Sequence, residues 1–170
     1  MATQKIVVLM GSKSDLPFAS RIEQFLKQEG FSVTCEYVIA SAHKTPDILL
    51  QKLIENERKE DDILYVTVAG LSDALSGVTA GFSKRPVIAC PPDIENYGLM
   101  KVFSSVMTPT GVPVMLVSKP ENAALAAVKI LAVGDASLKR ETEAYIQKKR
   151  EEIIEANAKV ATESCRMCGE

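Results

Sequence analysis

Apolar residues in this chain fall into two alternating patterns. Short continuous runs occupy residues 5–10, 31–40, 63–69, 86–90 and 114–117, and between them apolar positions recur every three or four residues. The first run reads Ile6-Val7-Val8-Leu9-Met10 with no polar alternate, which predicts a strand buried on both faces, as in parallel sheets. The interleaved segments predict helices. Phe18, Ile22, Phe25 and Leu26 share one face after Pro17, and Gly30 marks a stop. Thr45-Pro46-Asp47 supplies the cap, proline and acid of a helix start, and Ile48, Leu49, Leu53 and Ile54 form that helix's apolar side. Gly70-Leu71-Ser72-Asp73 turns into a short helix of small residues ending near Gly81. Residues 122–131 predict an alanine-rich helix suited to close packing on a sheet.

Five strands separated by helices predict the α/β class, with a parallel sheet covered on both faces. Right-handed crossovers make this a three-layer α/β/α sandwich, and the flavodoxin-like strand order 2-1-3-4-5 is the expected one. Ligands of such sheets bind beyond the carboxyl ends of the strands. Here those ends carry residues 11–15, 41–44, 70–76 and 90–92, so the small and polar clusters converge on one edge. After Gly134 the pattern changes. Residues 136–161 contain no glycine or proline and are rich in Glu and Lys, while Leu138, Tyr145, Ile146, Ile153, Ile154, Val160 and Ala161 make a narrow apolar stripe. With the sheet already covered, this long C-terminal helix is expected to pack on a neighbouring subunit. The expected organisation is an α/β unit over residues 1–134 and a helical extension with a tail over residues 135–170, both in one domain.

Composition narrows the partners. A chain of 170 residues with 46% hydrophobic and 25% charged residues suits a single globular domain with a full core. A net charge of −2 argues against nucleic acid, whose binders carry a basic surplus. No apolar run is long enough to span a bilayer, and Met1-Ala2-Thr3-Gln4 leads into a strand without a secretory pattern, so no membrane partner and a cytoplasmic location are expected. Cys35 and Cys90 lie in apolar runs as reduced core residues. Cys165 and Cys168 form C-x-x-C in a polar tail. Two thiols do not complete a zinc tetrahedron and no βαβ redox context surrounds them, so a disordered end is expected there instead of a metal or redox site.

The candidate chemistry lies in the loops. His43 is the one histidine, in Ser41-Ala42-His43-Lys44-Thr45-Pro46-Asp47. Any acid–base chemistry by an imidazole therefore falls to it, the alternative being a helix-entry histidine bonded to backbone. Gly11-Ser12-Lys13-Ser14-Asp15 places N–H groups and hydroxyls at a helix N-terminus, a natural anion site. It matches neither G-x-x-x-x-G-K-[ST] nor G-x-G-x-x-G, which argues against a nucleoside triphosphate or a dinucleotide. Asp15 is either an acceptor for ribose hydroxyls or a simple helix cap. Lys44 suits a single phosphate as a point charge, or is a solvated lysine. Gly70 and Gly77 permit close backbone approach, or serve turn geometry. Together these residues predict a small phosphorylated ligand, a ribonucleotide among the candidates, with His43 at its reactive end.

At these residues a resemblance becomes specific. Met10-Gly11-Ser12-x-Ser14-Asp15, Ser41-Ala42-His43-Lys44-Thr45-Pro46-Asp47, Ala69-Gly70 with Leu75-Ser76-Gly77, Pro109-Thr110-Gly111-Val112-Pro113 and Asn122-Ala123-Ala124 resemble the phosphoribosylaminoimidazole carboxylase family of purine biosynthesis, in order over residues 5–131. The resemblance implies a flavodoxin-like fold and a homo-oligomer, an octamer or a tetramer. It implies a substrate site at Ser12, Asp15, Ser41, Lys44, Gly70, Ser72, Ser76 and Gly77, with His43 as the catalytic acid and base. No metal or organic cofactor is implied.

The family has two classes. Class I enzymes are mutases that isomerise N5-carboxyaminoimidazole ribonucleotide. Class II enzymes add carbon dioxide directly to 5-aminoimidazole ribonucleotide (AIR), giving 4-carboxy-5-aminoimidazole ribonucleotide (CAIR). Lys44 in place of arginine, Ala74 and Ser76 in place of a histidine and a proline, and Cys90-Pro91-Pro92 all resemble class II. Leu71 and Asp73 depart from it, since class II loops read Ala-Gly-Arg-Ser-Asn. The implied chemistry is attack of an electron-rich ring carbon on carbon dioxide, with His43 taking the ring proton. Backbone donors at residues 70–72 and 76–77 are expected to hold the new carboxylate. The alternatives are the class I mutase, a non-catalytic flavodoxin-like binding module and a related nickel-pincer cofactor carboxylase. A receiver module is set aside because the first and third strands end in Met10-Gly11 and Ala69-Gly70 and not in acids.

Overall fold

The structure is a computed structural model that describes residues 3–167, with side chains described through Val160. Its organising strand is β1, Gln4–Met10, where Ile6 to Met10 are all buried. β1 pairs in parallel with β2, Thr34–Ile39, on one side and with β3, Asp62–Val68, on the other. β3 then pairs with β4, Val87–Ala89, and β4 with β5, Met115–Leu116. The order is β2-β1-β3-β4-β5, the flavodoxin-like arrangement expected from the pattern of apolar runs.

The two faces of β1 feed two cores. Ile6, Val8 and Met10 pack with Ala19, Ile22 and Leu26 of α1, Leu16–Glu29, and with Ala123, Ala124, Ala127 and Val128 of α6, Pro120–Leu131. Val7 and Leu9 pack with Leu49 and Leu53 of α2, Pro46–Glu57, and with Leu75 and Ala80 of α3, Ala74–Phe82. Strand side chains alternate between faces, so a run without polar alternates is what a sheet covered on both sides requires. The alanines of α6 let that helix approach the sheet closely.

The elements differ from the sequence expectation in three places. β2 begins at Thr34 because Phe31 belongs to the end of α1: its N–H donates to Leu26 O at 2.9 Å, beside Gly30 at φ 76°. That left-handed residue turns the chain, and glycine takes the conformation without strain. Two helices, α4, Ile94–Tyr97, and α5, Leu99–Val106, occupy a stretch for which the apolar pattern predicts no element. The last helix, α7, runs over Ala136–Met167. Ser164 to Met167, expected in a disordered end, are therefore helical in backbone; the side chain of Cys165 and all of Cys168 lie outside the described residues.

α7 also corrects the expectation that its stripe cannot pack on its own sheet layer. Leu138 is 1% exposed and joins the α1/α6 core, and Tyr145 packs against the rings of Phe25 and Phe31. Glu141 accepts the N–H and hydroxyl of Ser32 at 2.9 and 2.8 Å, and Glu29 pairs with Lys148 and Lys149 at 2.7 and 3.1 Å. Beyond Tyr145 the stripe is open: Ile146, Ile153, Ile154 and Val160 are exposed. The inner turns thus belong to the fold, and the outer turns project from it.

This division predicts unequal costs along one stripe. Leu138→Ala leaves a cavity in a closed core and should lower the unfolding free energy by about 2–4 kcal/mol. Ile153→Ala should change it by about 0.5 kcal/mol or less in the isolated chain. Denaturant unfolding of both variants checks the contrast; equal losses would place the outer turns in a buried surface.

Candidate active site

Three loops leave the sheet at one level. Met10 is paired with Ile39 and Val68, and the ladder continues one step beyond the strands as Ala40 N–H donates to Met10 O at 2.9 Å and Gly11 N–H to Val68 O at 3.0 Å. The loops then diverge around a cleft of about 320 Å³ whose lining includes Ser12, Asp15, Ser41, His43, Lys44, Gly70 and Ser72. Seven of the nine residues assigned to the site from the sequence thus meet in one place. Ser76 and Gly77 do not. Ser76 is fully buried, its hydroxyl donating to Asp73 Oδ2 and lying 2.7 Å from Thr67 Oγ1, and Gly77 faces Thr108 within α3's packing.

The first loop is a capping box. Ser14 N–H donates to Ser12 Oγ at 3.3 Å, and Ser12 N–H donates to Asp15 Oδ2 at 2.9 Å. The reciprocal bonds satisfy orphan donors of the short helical turn Lys13–Asp15, which runs into α1. Ser12 is the cap of that turn and Asp15 its third residue; Asp15 makes no side-chain cap bond to α1, and it borders the cleft. Its carboxyl is held above the ordinary carboxylate range, chiefly by burial and further by Asp93; the Ser12 N–H and Lys101 act in the opposite direction.

The second loop is a locked turn. Thr45 N–H donates to Ser41 O at 2.9 Å, Ser41 N–H to Thr45 Oγ1 at 3.0 Å, and Lys44 N–H to Ser41 Oγ at 3.2 Å. Thr45 starts α2 by position, but its hydroxyl turns back to Ser41 and makes no side-chain cap bond. The side chains of His43 and Lys44 stand exposed at the tip, in the cleft. Only the three-dimensional turn explains why Ser41 and Thr45 flank the histidine.

The third loop follows β3 and carries the two departures from the class II pattern. Leu71 adopts φ 53°, a left-handed conformation uncommon for a residue with a Cβ. Its N–H donates to Asp93 Oδ2 at 2.8 Å, and its carbonyl accepts from Lys101 Nζ at 2.8 Å. Gly70 fits here because an added Cβ would sit 3.2 Å from that same Asp93 oxygen. Asp73 caps α3: its carboxylate accepts the Ser76 N–H and hydroxyl and the Ser105 hydroxyl, at 3.0, 2.7 and 2.7 Å. Two of the backbone donors expected to receive a carboxylate, those of Leu71 and Ser76, are thus already engaged within the protein.

Lys101 and Asp93 were absent from the sequence assignment. Lys101 is 2% exposed, and burial lowers its pKa while Asp73, Asp93 and Asp15 act to raise it. One signal existed: Lys101 is the only cation between Arg85 and Lys119, set in an apolar stretch. Asp93 directly follows Cys90-Pro91-Pro92. Cys90 and Cys35 are desolvated thiols, both pushed up to about 12 by burial, as suits inert core residues. Among the described residues no group of three His, Cys, Asp or Glu side chains is placed to hold a metal ion, and no helix is long and apolar enough to cross a membrane.

Comparison with known proteins gives consistent matches. Residues 5–152 match the family model described as AIR carboxylase. The chain is 42% identical over 153 residues to the phosphoribosylaminoimidazole carboxylase of Archaeoglobus fulgidus, covering 90% of this chain and 83% of that protein. It is 36% identical over 157 residues to the N5-carboxyaminoimidazole ribonucleotide mutase of Methanocaldococcus jannaschii, covering 91% and 96%. The crystal structure of Treponema denticola PurE superposes with a TM-score of 0.86 at 36% identity, covering 92% of this chain and 98% of that one.

The environment of Asp15 has a measurable consequence. A folded-state value raised above the ordinary 3.8 means that the carboxyl's contribution to stability is complete below that value and lost as pH rises through the folded-state one. Asp15→Asn keeps an acceptor for Ser12 N–H and removes the desolvated charge. The variant should melt above the wild type at pH 7, and the difference should vanish near pH 3, where the carboxyl is neutral in both states. Thermal unfolding at the two pH values checks this.

Proposed function

The chain belongs to the AIR carboxylase family, and we propose that it is a lyase that carboxylates AIR with carbon dioxide to CAIR, with His43 as general acid and base. The observation that carries this reading is the cleft itself. The only imidazole of the chain stands in it beside Lys44, Ser41, Ser12 and Asp15, at the carboxyl edge of the sheet. Lys44 offers a cation and the Ser12 hydroxyl a polar partner to the ribose phosphate, the Ser12, Ser14 and Asp15 N–H groups being engaged within the capping box, and Asp15 offers an acceptor to the ribose hydroxyls. Gly11, Ala42, Ala69 and Leu75 add small and apolar surface to the lining, where carbon dioxide is proposed to sit.

The reaction follows from this placement. The electron pair of the aminoimidazole ring carbon forms a bond to the carbon of carbon dioxide, whose oxygens become a carboxylate. The proton on that ring carbon passes to the His43 imidazole, and the ring regains aromaticity. In reverse, imidazolium returns the proton to the ring as carbon dioxide leaves. Gly70 and Ser72 line the cleft beside Leu71 and are the loop residues proposed to face the carboxylate. Ser76 acts at second hand, by supporting that loop through Asp73, and Gly77 packs toward Thr108.

Lys44, Ala74, Ser76 and Cys90-Pro91-Pro92 support direct carboxylation over isomerisation. The mutase is the second reading, favoured by the 36% identity to the Methanocaldococcus jannaschii protein of that name. The proposed assembly is a cytoplasmic homo-octamer or homotetramer. The exposed outer stripe of α7 and the exposed Leu99, Met100, Phe103 and Met107 of α5 and its end are surfaces suited to burial in it.

Two measurements test the reading. Purified protein supplied with AIR plus bicarbonate should form CAIR, and should turn over N5-carboxyaminoimidazole ribonucleotide more slowly; the opposite preference would assign the mutase. His43→Asn should lower kcat by about three orders of magnitude or more while AIR affinity and melting temperature hold. Retention of a tenth of the wild-type rate would remove His43 from the proton transfer.

A further inference from the structure

One face of α5 grips the cleft loop from behind. Lys101, Ser104 and Ser105 lie at i, i+3 and i+4, on one side of a helix. Lys101 Nζ donates to Leu71 O at 2.8 Å, Ser104 Oγ accepts from Asp73 N–H at 2.8 Å, and Ser105 Oγ donates to Asp73 Oδ2 at 2.7 Å. From the other side Asp93 Oδ2 accepts the Leu71 N–H at 2.8 Å. The backbone of Leu71 is thus fastened at both its N–H and its carbonyl, each by a charged group. Leu71 is also the one described residue other than glycine with a positive φ, 53°.

A buried lysine is costly unless its ammonium is used. This one is 2% exposed, and its donated hydrogen bond goes to the carbonyl of a residue that lines the cleft. Burial lowers its pKa, and the carboxylates of Asp73, Asp93 and Asp15 around it act against that. A leucine left to itself would leave the left-handed region, rotating the Leu71 carbonyl and the following Ser72 out of their places. Leu71 therefore holds its conformation because both ends of its backbone are held.

We infer that Lys101 is a positioning residue for the reaction: with Asp93 it clamps Leu71 in the left-handed conformation and so sets the cleft edge formed by Gly70, Leu71 and Ser72. The cation that the loop lacks at Leu71 is supplied from α5 behind it, without reaching the substrate. The inference rests on the carboxylase reading for its kinetic consequence, but the clamp itself is independent of it. Lys101 acts on the edge proposed to face the carboxylate and leaves the phosphate-side residues 12–15 and 41–44 in place. Its loss should therefore fall on kcat more than on KM.

The test compares Lys101→Met, which keeps length and removes the charge, with Lys101→Met combined with Leu71→Gly. For AIR carboxylation, Lys101→Met should lower kcat on the order of tenfold to hundredfold, with KM changed much less. Adding Leu71→Gly should recover most of that loss, because glycine adopts φ 53° without a clamp. Hydrogen exchange of the Leu71 amide should quicken in Lys101→Met, and this readout stands even if the wild type turns over neither AIR nor its N5-carboxy isomer, a result that would sink the functional reading alone. If Lys101→Met does not fold, Asp93→Asn with and without Leu71→Gly makes the same comparison from the N–H side. A kcat within about twofold of wild type, no recovery on adding Leu71→Gly, or unchanged amide exchange would each overturn the clamp.

Discussion

Parallel pairing of β1 with β2 and β3 sets the position of everything that follows. Met10 lies level with Ile39 and Val68, and the bonds from Ala40 to Met10 and from Gly11 to Val68 extend the ladder just past the strands. Buried backbone groups require partners, so the three chains leave the sheet together. A slip of one residue would drive Ile6, Val8 and Met10 into the core now filled by Val7 and Leu9. The register is therefore held by two cores at once. The loops at 11–15, 41–45 and 69–73 inherit that precision, and the side chains of Ser12, Asp15, Ser41 and Thr45 then fix the turns that bring His43 among Ser12, Asp15 and Lys44.

The cleft rests on a polar support layer drawn from elements outside it. Asp73, Ser76, Thr67 and Ser105 satisfy one another beneath α3, while Lys101 and Asp93 hold the Leu71 backbone. In a low-dielectric setting each of these groups is strongly favourable when paired and costly when not. The arrangement also accounts for the departures at Leu71 and Asp73. The carboxylate at Asp73 caps α3 and lies near the Lys101 ammonium, so one added acid and one buried base balance.

α7 joins two roles in one helix. Its first turns complete the α1/α6 core through Leu138 and Tyr145, fastened by Glu141 to Ser32 and by Glu29 to two lysines. Its outer turns keep the same stripe, with Ile146, Ile153, Ile154 and Val160 exposed. The repeat of apolar residues reads continuously across both halves, because periodicity records which side of a helix is apolar and not what lies opposite.

By itself the sequence determined the five strands, their order, the three loops at the carboxyl edge and the identity of the one imidazole. These follow from local rules: continuous apolar runs need burial on both faces, short right-handed connections permit few topologies, and small polar residues collect where strands end. Only the tertiary structure decided which loop groups face the cleft. Ser76 belongs to the same motif as Gly70, yet its hydroxyl turns inward to Asp73, and the Leu71 N–H expected to meet a ligand is taken by Asp93. Lys101 lies 30 residues from the carbonyl it holds, and Glu141 lies 109 from Ser32. Such partners are chosen by the packing of α5 and α7 on the finished sheet, and a contact between residues so far apart leaves no periodic trace in the chain that makes it.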